Sequence, residues 1–175
     1  MFKKTLKFKK VFLGTAIGCQ LFGVTGVAMA VDCPEGRIAF TTVPEIVISG
    51  QPCVVFETTV EGKIEVTNSP SIDLQRVDVG GPVTVTGTTT GGPNTIEQNA
   101  TILRVDILAG DLTVSGNTTA IVAGNTLQQG NLTVNNNVGA YVGRNSVNGN
   151  IQCVGNVELD AFGNRASGTN NCVPQ

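Results

Sequence analysis

The sequence predicts an all-β fold, a single-stranded parallel β-helix (β-solenoid) of about six to seven coils. Strand-like triplets preceded by glycine recur late in the chain, at Gly110, Gly130 and Gly149. Their spacings of 20 and 19 residues are typical of stacked coils. The apolar residues are mainly Val, Ile and Leu, with no Trp and few aromatics, which suits short β-branched strands.

Residues 1–30 are predicted to be a cleaved signal peptide. The segment 11–27 is mostly apolar, and Ala28 and Ala30 form a small-x-small site with cleavage expected after Ala30. A basic stretch precedes it, formed by Lys3, Lys4, Lys7, Lys9 and Lys10. A retained membrane anchor and lipoprotein processing at Cys19 are the alternatives.

Cleavage would leave one acidic domain. Five of the 11 basic residues lie before residue 31, so six Lys and Arg would remain against 13 Asp and Glu, a net charge of −7. This balance argues against nucleic acid as a partner, and it limits membrane contact to the cleaved signal. We expect an N-terminal cap over 31–42 and the solenoid over 43–175.

Anchoring each coil at its glycine aligns the rest of the chain. The anchors are Gly62, Gly81, Gly110, Gly130, Gly149 and Gly168. One interval is 29 residues long, which predicts an inserted loop near 86–95. Two positions before each glycine we expect an inward column of Val60, Val79, Leu108, Gln128, Val147 and Ala166. Four positions after it we expect a second column of Val66, Val85, Val114, Val134, Cys153 and Cys172, with polar residues between.

Asparagines recur at the same period in two series. The first contains Asn117, Asn137 and Asn156, and the second contains Asn125, Asn145 and Asn164. We expect each series to lie at a corner in the left-handed conformation and to form a hydrogen-bonded ladder between coils. The alternative is that these residues only form surface turns.

The four cysteines after residue 30 predict two disulfides in an exported protein. Cys153 and Cys172 occupy one column in consecutive coils, and Cys33 and Cys53 are also about one coil apart. Parallel strands about 4.8 Å apart bring such residues within disulfide reach. We therefore predict Cys33–Cys53 and Cys153–Cys172, one staple at each end of the rod.

The C-terminal coils resemble a known family. Gly149-Asn150-Ile151-Gln152-Cys153, followed by Gly163-Asn164 and Cys172, is similar to the ending of secreted bacterial β-helix repeat proteins with Val-x-Gly-Asn-Leu-x-Val coils. The resemblance covers about residues 53–175. It implies a secreted parallel β-helix, right-handed in preference to left-handed, and no defined biochemical role. The inserted loop and the absence of the usual C-terminal prolines depart from the pattern.

Few residues in this chain suggest catalytic chemistry. Histidine is absent and the cysteines are assigned to disulfides, so we expect no metal, no cofactor and no catalytic residue. The triplets Arg76-Val77-Asp78 and Arg104-Val105-Asp106 should stack, with Arg144 continuing the arginine column. They form either a ligand face (Arg76, Asp78, Arg104 and Asp106) or a solvated face of diagonal Arg–Asp pairs.

These features predict a secreted, non-enzymatic structural or interaction module, in the periplasm, at the bacterial surface or outside the cell. Its partners would be a cell-envelope polysaccharide, another surface protein or a second copy docked at the solenoid ends. The alternative is a carbohydrate-binding or polysaccharide-cleaving β-helix that uses the charged face, with a polysaccharide lyase as the enzymatic version. The Thr/Gly-rich loop is a further recognition candidate.

Overall fold

A computed structural model describes residues 30–89 and 100–173. Within these residues the chain forms a β-solenoid of about seven coils, as predicted. Each coil contributes one strand to each of three seven-stranded parallel sheets, and each strand pairs with its equivalents in the neighbouring coils, on both sides except at the two ends. We call the sheets A, B and C in the order in which the chain enters them.

The strands follow one another in the repeating order A, B, C. They are β1 Ala30–Val31, β2 Arg37–Ala39, β3 Thr42–Val43, β4 Glu45–Ser49, β5 Cys53–Phe56, β6 Thr59–Val60, β7 Ile64–Thr67, β8 Ile72–Gln75, β9 Asp78–Val79, β10 Val83–Thr86, β11 Ala100–Leu103, β12 Asp106–Ile107, β13 Leu112–Ser115, β14 Thr119–Ala123, β15 Thr126–Leu127, β16 Leu132–Asn135, β17 Gly139–Gly143, β18 Ser146–Val147, β19 Ile151–Gln152, β20 Glu158–Phe162 and β21 Arg165–Ala166. A 3₁₀ turn spans Pro34–Gly36.

The core is a continuous aliphatic column inside the rod. In sheet A alternate residues point inward, so Leu112 and Val114 are fully buried while Thr113 between them is partly exposed. Register pairing stacks the same residue type in successive coils, as in Leu112 on Leu132 and Val114 on Val134. Each apolar side chain is therefore covered by the coils above and below it, which buries residues that a single coil would leave exposed.

The predicted register is confirmed in sheet A and partly wrong in sheet C. Ile107 and Leu127, not Leu108 and Gln128, occupy the inward column between Val79 and Val147. The turns after Ile107 and Leu127 each hold four residues before the next sheet A strand, whereas the turn after Val147 holds three. Counting back from the glycine therefore places Leu108 and Gln128 one residue too far along, and both are exposed.

Both asparagine ladders are confirmed and lie inside the rod. Asn117 Nδ2 donates to Asn137 Oδ1 at 2.9 Å, and Asn137 Nδ2 donates to Asn156 Oδ1 at 3.0 Å. The second series is joined in the same way, Asn125 to Asn145 to Asn164, at 2.9 Å for each step. All of these residues except the terminal Asn164 are buried, so they are not surface turn formers.

The left-handed corner residue is the one before each ladder asparagine, which corrects the expectation that the asparagines adopt it. Gly116 and Asn136 precede the first series with φ of 66° and 56°, and Gly124 and Arg144 precede the second with 67° and 56°. The sharp bend at that residue turns the following asparagine inward. Its Oδ1 then accepts from the backbone N–H of the preceding coil as well as from the side chain.

The N-terminal segment 31–42, expected as a cap, supplies strands of the first coil. Arg37 pairs with Val54 and Thr42 pairs with Thr59, each 17 residues further along the chain. This first coil is therefore shorter than the others. It is the terminal member of all three sheets on that side.

Both predicted disulfides are present. Cys153 and Cys172 have Cα atoms 4.8 Å apart, and Cys33 and Cys53 have theirs 5.9 Å apart. The argument that two bonded cysteines share one inward column in consecutive coils holds only for the C-terminal pair. Cys33 reaches Cys53 across the 3₁₀ turn at Pro34–Gly36, because the register position opposite Cys53 falls three residues after Cys33.

The inserted loop begins later than predicted. Thr86 pairs with Thr67 and Ser115, and the buried Thr88 donates through Oγ1 to Asn117 Oδ1 at 2.8 Å, so both follow the coil. The rest of the predicted loop, from Thr90 onward, lies outside the described residues. The predicted signal peptide, including Ala28, also lies outside them, and Ala30 is the first residue of β1.

Candidate functional site

Three arginines form one column along a corner of the rod. Arg76, Arg104 and Arg144 each follow the last residue of a sheet B strand, and each has a positive φ of 54° to 56°. Their backbone N–H groups donate to the next coil, to the carbonyl oxygens of Leu103, Ala123 and Phe162 respectively, at 2.9 to 3.2 Å. The predicted stacking of these arginines is therefore confirmed, including its continuation to Arg144.

The residue that follows each arginine points into the core, and this directs the arginine side chain outward. Val77 and Val105 follow Arg76 and Arg104 and are fully buried, as the alternation predicted. Asn145 follows Arg144 and belongs to the buried ladder. Because the chain turns inward at these positions, the guanidinium groups project from the corner.

An arginine at this corner is strained. A left-handed backbone costs a residue with a Cβ about 1–2 kcal/mol relative to glycine. The same column holds Gly124 between Arg104 and Arg144, and Gly163 after Arg144, both with positive φ. Phe40 and Glu57 hold the same corner position in the first two coils, with φ of 54° and 44°, so the column holds residues with a Cβ as well as glycine, each at a cost in stability. Residues held in such conformations are concentrated at functional sites.

Gly124 leaves an open groove between two arginines. The groove has a volume of about 380 Å³ and is lined by Gln75, Arg76, Leu103, Arg104, Ala123, Gly124 and Arg144. Two of these residues, Ala123 and Gly124, are small, which leaves the space between Arg104 and Arg144 open. An added Cβ on Gly124 would come no closer than 3.8 Å to the Arg104 side chain, so the space above Gly124 is large enough to accept further atoms.

Aromatic side chains lie at both ends of the arginine column. The Arg76 guanidinium lies 5.6 Å from the ring centroid of Phe56, and that of Arg144 lies 5.6 Å from the ring of Phe162. Phe162 also packs edge to face with Tyr141, with ring centroids 5.1 Å apart. Sequence reasoning missed these aromatics, although each phenylalanine sits one residue before the same corner column.

Gly143 makes room for the Phe162 ring. A Cβ at Gly143 would lie 2.5 Å from two carbon atoms of that ring, which no real contact allows. The Phe162 ring therefore occupies the space beside Gly143 of the preceding coil. There it contacts Arg144, which lines the C-terminal side of the groove.

The arginines differ in their charge partners. Arg76 donates to Glu57 Oε1 at 2.7 Å. Within residues 30–89 and 100–173 the other ion pair is Lys63–Glu65, so Arg104 and Arg144 have no carboxylate within ion-pair distance there. Arg104 and Arg144 therefore line the groove without a described counter-charge, and the Arg144 guanidinium lies beside the Phe162 ring.

Asp78 and Asp106 stack on each other as predicted but lie outside the groove. They pair in register on sheet C and are exposed. The expected diagonal Arg–Asp pairs are wrong, because Arg76 turns back toward Glu57 on the preceding coil and Arg104 pairs with neither aspartate. The four-residue face predicted from the sequence therefore separates into an arginine groove and an aspartate stack.

Asp73 lies on the same face of sheet B as Gln75, a residue of the groove wall. Gln75 Nε2 donates to Asp73 Oδ2 at 2.7 Å, and Oδ1 is buried with no hydrogen-bond partner among the described residues. Burial raises the pKa of this carboxyl group, and the hydrogen bond from Gln75 opposes the rise in part. Its ionised form is therefore disfavoured by the fold.

Within the described part of the chain, no three potential metal ligands of the His, Cys, Asp or Glu type lie together. No helix there has the length and apolar character needed to span a bilayer.

Comparison of the chain with protein families, with curated proteins and with solved structures found no match. The resemblance to secreted bacterial repeat proteins therefore stays a prediction.

Proposed function

We propose that this chain is an exported, non-enzymatic β-solenoid that acts as a structural or interaction module at the bacterial surface or outside the cell. The observation that carries the proposal is the pair of disulfides, which joins neighbouring coils at each end of the rod. Disulfides persist in oxidising compartments, and a predicted signal peptide precedes the first coil.

The interior also suits a rigid module. A solenoid loses order first at its terminal coils, which have a neighbour on one side only. Here those coils are cross-linked, and the coils that contain Asn117 to Asn164 are also joined by buried amide ladders. Such a rod presents its outer faces in a fixed geometry to a cell-envelope polysaccharide, a surface protein or a second copy.

The alternative is a carbohydrate-binding β-helix, and the groove beside Gly124 favours it over a purely structural rod. Two arginines without a described carboxylate partner, one of them in contact with an aromatic ring, suit sugar recognition. A polysaccharide-cleaving version would also need an acid or base at the bound sugar. Asp78 and Asp106, the carboxylates of the ligand face expected from the sequence, lie on sheet C and do not line the groove.

Expression of the whole 175-residue chain in a bacterium tests export. After fractionation and intact-mass measurement, we expect a chain that starts at Val31, carries two disulfides and is found outside the cytoplasm. A full-length cytoplasmic chain with free thiols would contradict export. Incubation with acidic and neutral polysaccharides tests the non-enzymatic part, and new reducing ends or unsaturated products would overturn it.

A further inference from the structure

Positive charge is concentrated in one place on an acidic chain. After residue 30 the sequence has six basic residues against 13 acidic ones, and three of the six form the arginine column. Arg76 and Arg104 lie in adjacent coils, about 5 Å apart at the parallel-strand spacing, and Arg144 lies two coils beyond Arg104, so like charges are held near one another along the column. Glu57 neutralises Arg76, whereas Arg104 and Arg144 have no described carboxylate partner.

The backbone at these positions would fold more easily with glycine. Arg104 and Arg144 hold the left-handed conformation that Gly124 and Gly163 adopt in the same column without strain. Arg104 has no described ion pair, and Arg144 has only its contact with the Phe162 ring, so neither positive charge is neutralised by a described carboxylate. An anionic ligand would supply the missing counter-charge.

The gap above Gly124 has the dimensions of a site for one anionic group. Arg104 and Arg144 lie two coils apart, which is about 10 Å at the parallel-strand spacing. Gly124, between them, has no side chain, and Ala123 adds only a methyl group to the floor. A carboxylate or sulfate lying over Gly124 can therefore accept hydrogen bonds from both guanidinium groups.

An aromatic surface continues the groove on the C-terminal side. Tyr141 and Phe162 are 37% and 36% exposed, so parts of both rings face solvent beside Arg144. Sugar rings present C–H faces that pack on aromatic rings, while their acidic substituents point to the side. The groove and this surface follow one another along the rod axis, as a linear polymer would.

We propose that this groove binds an acidic polysaccharide, with one carboxylate or sulfate held between Arg104 and Arg144 and a neighbouring sugar packed on Tyr141 and Phe162. This inference deepens the proposed function by naming the partner. It rests on that function only for the location, outside the cytoplasm, at which the chain encounters the polysaccharide. The groove offers a position for one anion, which matches a polymer with widely spaced charges better than a nucleic-acid strand, which carries a phosphate about every 3.4 Å. The acidic surroundings disfavour a broad anionic membrane surface.

Fluorescence anisotropy with a labelled octasaccharide that alternates a uronic acid with a neutral sugar tests this proposal. The disulfide-bonded chain should bind it and should not bind neutral dextran. Arg104→Gln and Arg144→Gln should each weaken binding about tenfold or more, the usual effect of losing a hydrogen bond to a charged group. Arg165→Gln is the matched control, because it removes the same charge from sheet C, outside the groove.

A second variant separates binding from folding. Gly124→Asn places a small side chain in the gap, and asparagine tolerates the positive φ. We expect unchanged circular dichroism and weaker octasaccharide binding.

Three results would overturn the proposal. They are no binding of the octasaccharide at millimolar concentration, an equal loss in Arg165→Gln and Arg104→Gln, and equally tight binding of a single-stranded oligonucleotide or anionic vesicles. Each of these leaves export and the absence of catalysis untouched, so failure here is distinguishable from failure of the proposed function.

Discussion

Removing a buried ladder amide should destabilise the rod far more than removing its exposed counterpart. The Asn137 side chain makes four hydrogen bonds. Its Oδ1 accepts from the backbone N–H and from Nδ2 of Asn117, at 3.0 and 2.9 Å. Its Nδ2 donates to the Val114 carbonyl oxygen at 3.3 Å and to Asn156 Oδ1 at 3.0 Å.

Asn131 offers a matched comparison at the surface. It belongs to a third ladder, which sequence reasoning missed, formed by Asp111, Asn131 and Asn150. Its side chain makes three hydrogen bonds at 3.0 to 3.2 Å to residues 19 or 20 positions away. The groups involved are exposed, so water can replace the amide.

The magnitudes follow from what alanine would leave behind. Asn137→Ala leaves a buried backbone N–H and a side-chain N–H of Asn117 unpaired and removes a partner of the Val114 carbonyl. At roughly 1 kcal/mol or more for each group, the free energy of unfolding should fall by about 3–5 kcal/mol. Asn131→Ala should lower it by less than about 1 kcal/mol.

Urea unfolding of both variants, with the disulfides intact and circular dichroism as the signal, measures the difference. We expect the midpoint of Asn137→Ala to shift strongly and that of Asn131→Ala to stay near the parent value. Equal losses in the two variants would refute the argument that burial, rather than the number of hydrogen bonds, gives the ladder its stabilising effect.

Three further predictions concern stability. Arg104→Gly relieves the left-handed strain at the expense of backbone entropy, so urea unfolding should show a net gain of about 0.5–1 kcal/mol. Cys153→Ser combined with Cys172→Ser should cost about 3 kcal/mol, seen as an earlier melting transition, and protease sensitivity beginning at the C-terminal coil. Asp73 has a raised pKa, so the folded state binds its proton more tightly and stability should fall as the pH rises from about 4. Asp73→Asn should remove that decline, and a steeper decline in the variant would contradict the assignment.

Much of the fold follows from one period in the sequence. The spacing of Gly110, Gly130 and Gly149 is sufficient to place Cys153 under Cys172 and Asn117 under Asn137. These predictions succeed because a stacked coil repeats its environment, so equal sequence offsets become vertical neighbours. The arginine column was predicted for the same reason.

The errors come from places where the number of residues per coil, or per turn, varies. An extra residue after Ile107 and Leu127 shifted the inward column by one, and a fixed count from glycine does not show on which side of a turn that residue lies. The 3₁₀ turn after Cys33 hides a short first coil. The repeat period also does not predict side-chain partners. Arg76 pairs with Glu57 and not with Asp78 because of the rotamer that its side chain adopts.

The two buried ladders have a direction, and it bears on the order of folding. In each of them the earlier coil donates and the later coil accepts, as from Asn117 to Asn137 and from Asn125 to Asn145. A half-formed rod therefore ends in N–H groups that have no protein acceptor until the next coil arrives. When the chain is delivered N-terminus first, each new coil supplies that acceptor, so the coils can be added one after another. The Cys153–Cys172 bond then links the last coil to its neighbour when the final residues emerge.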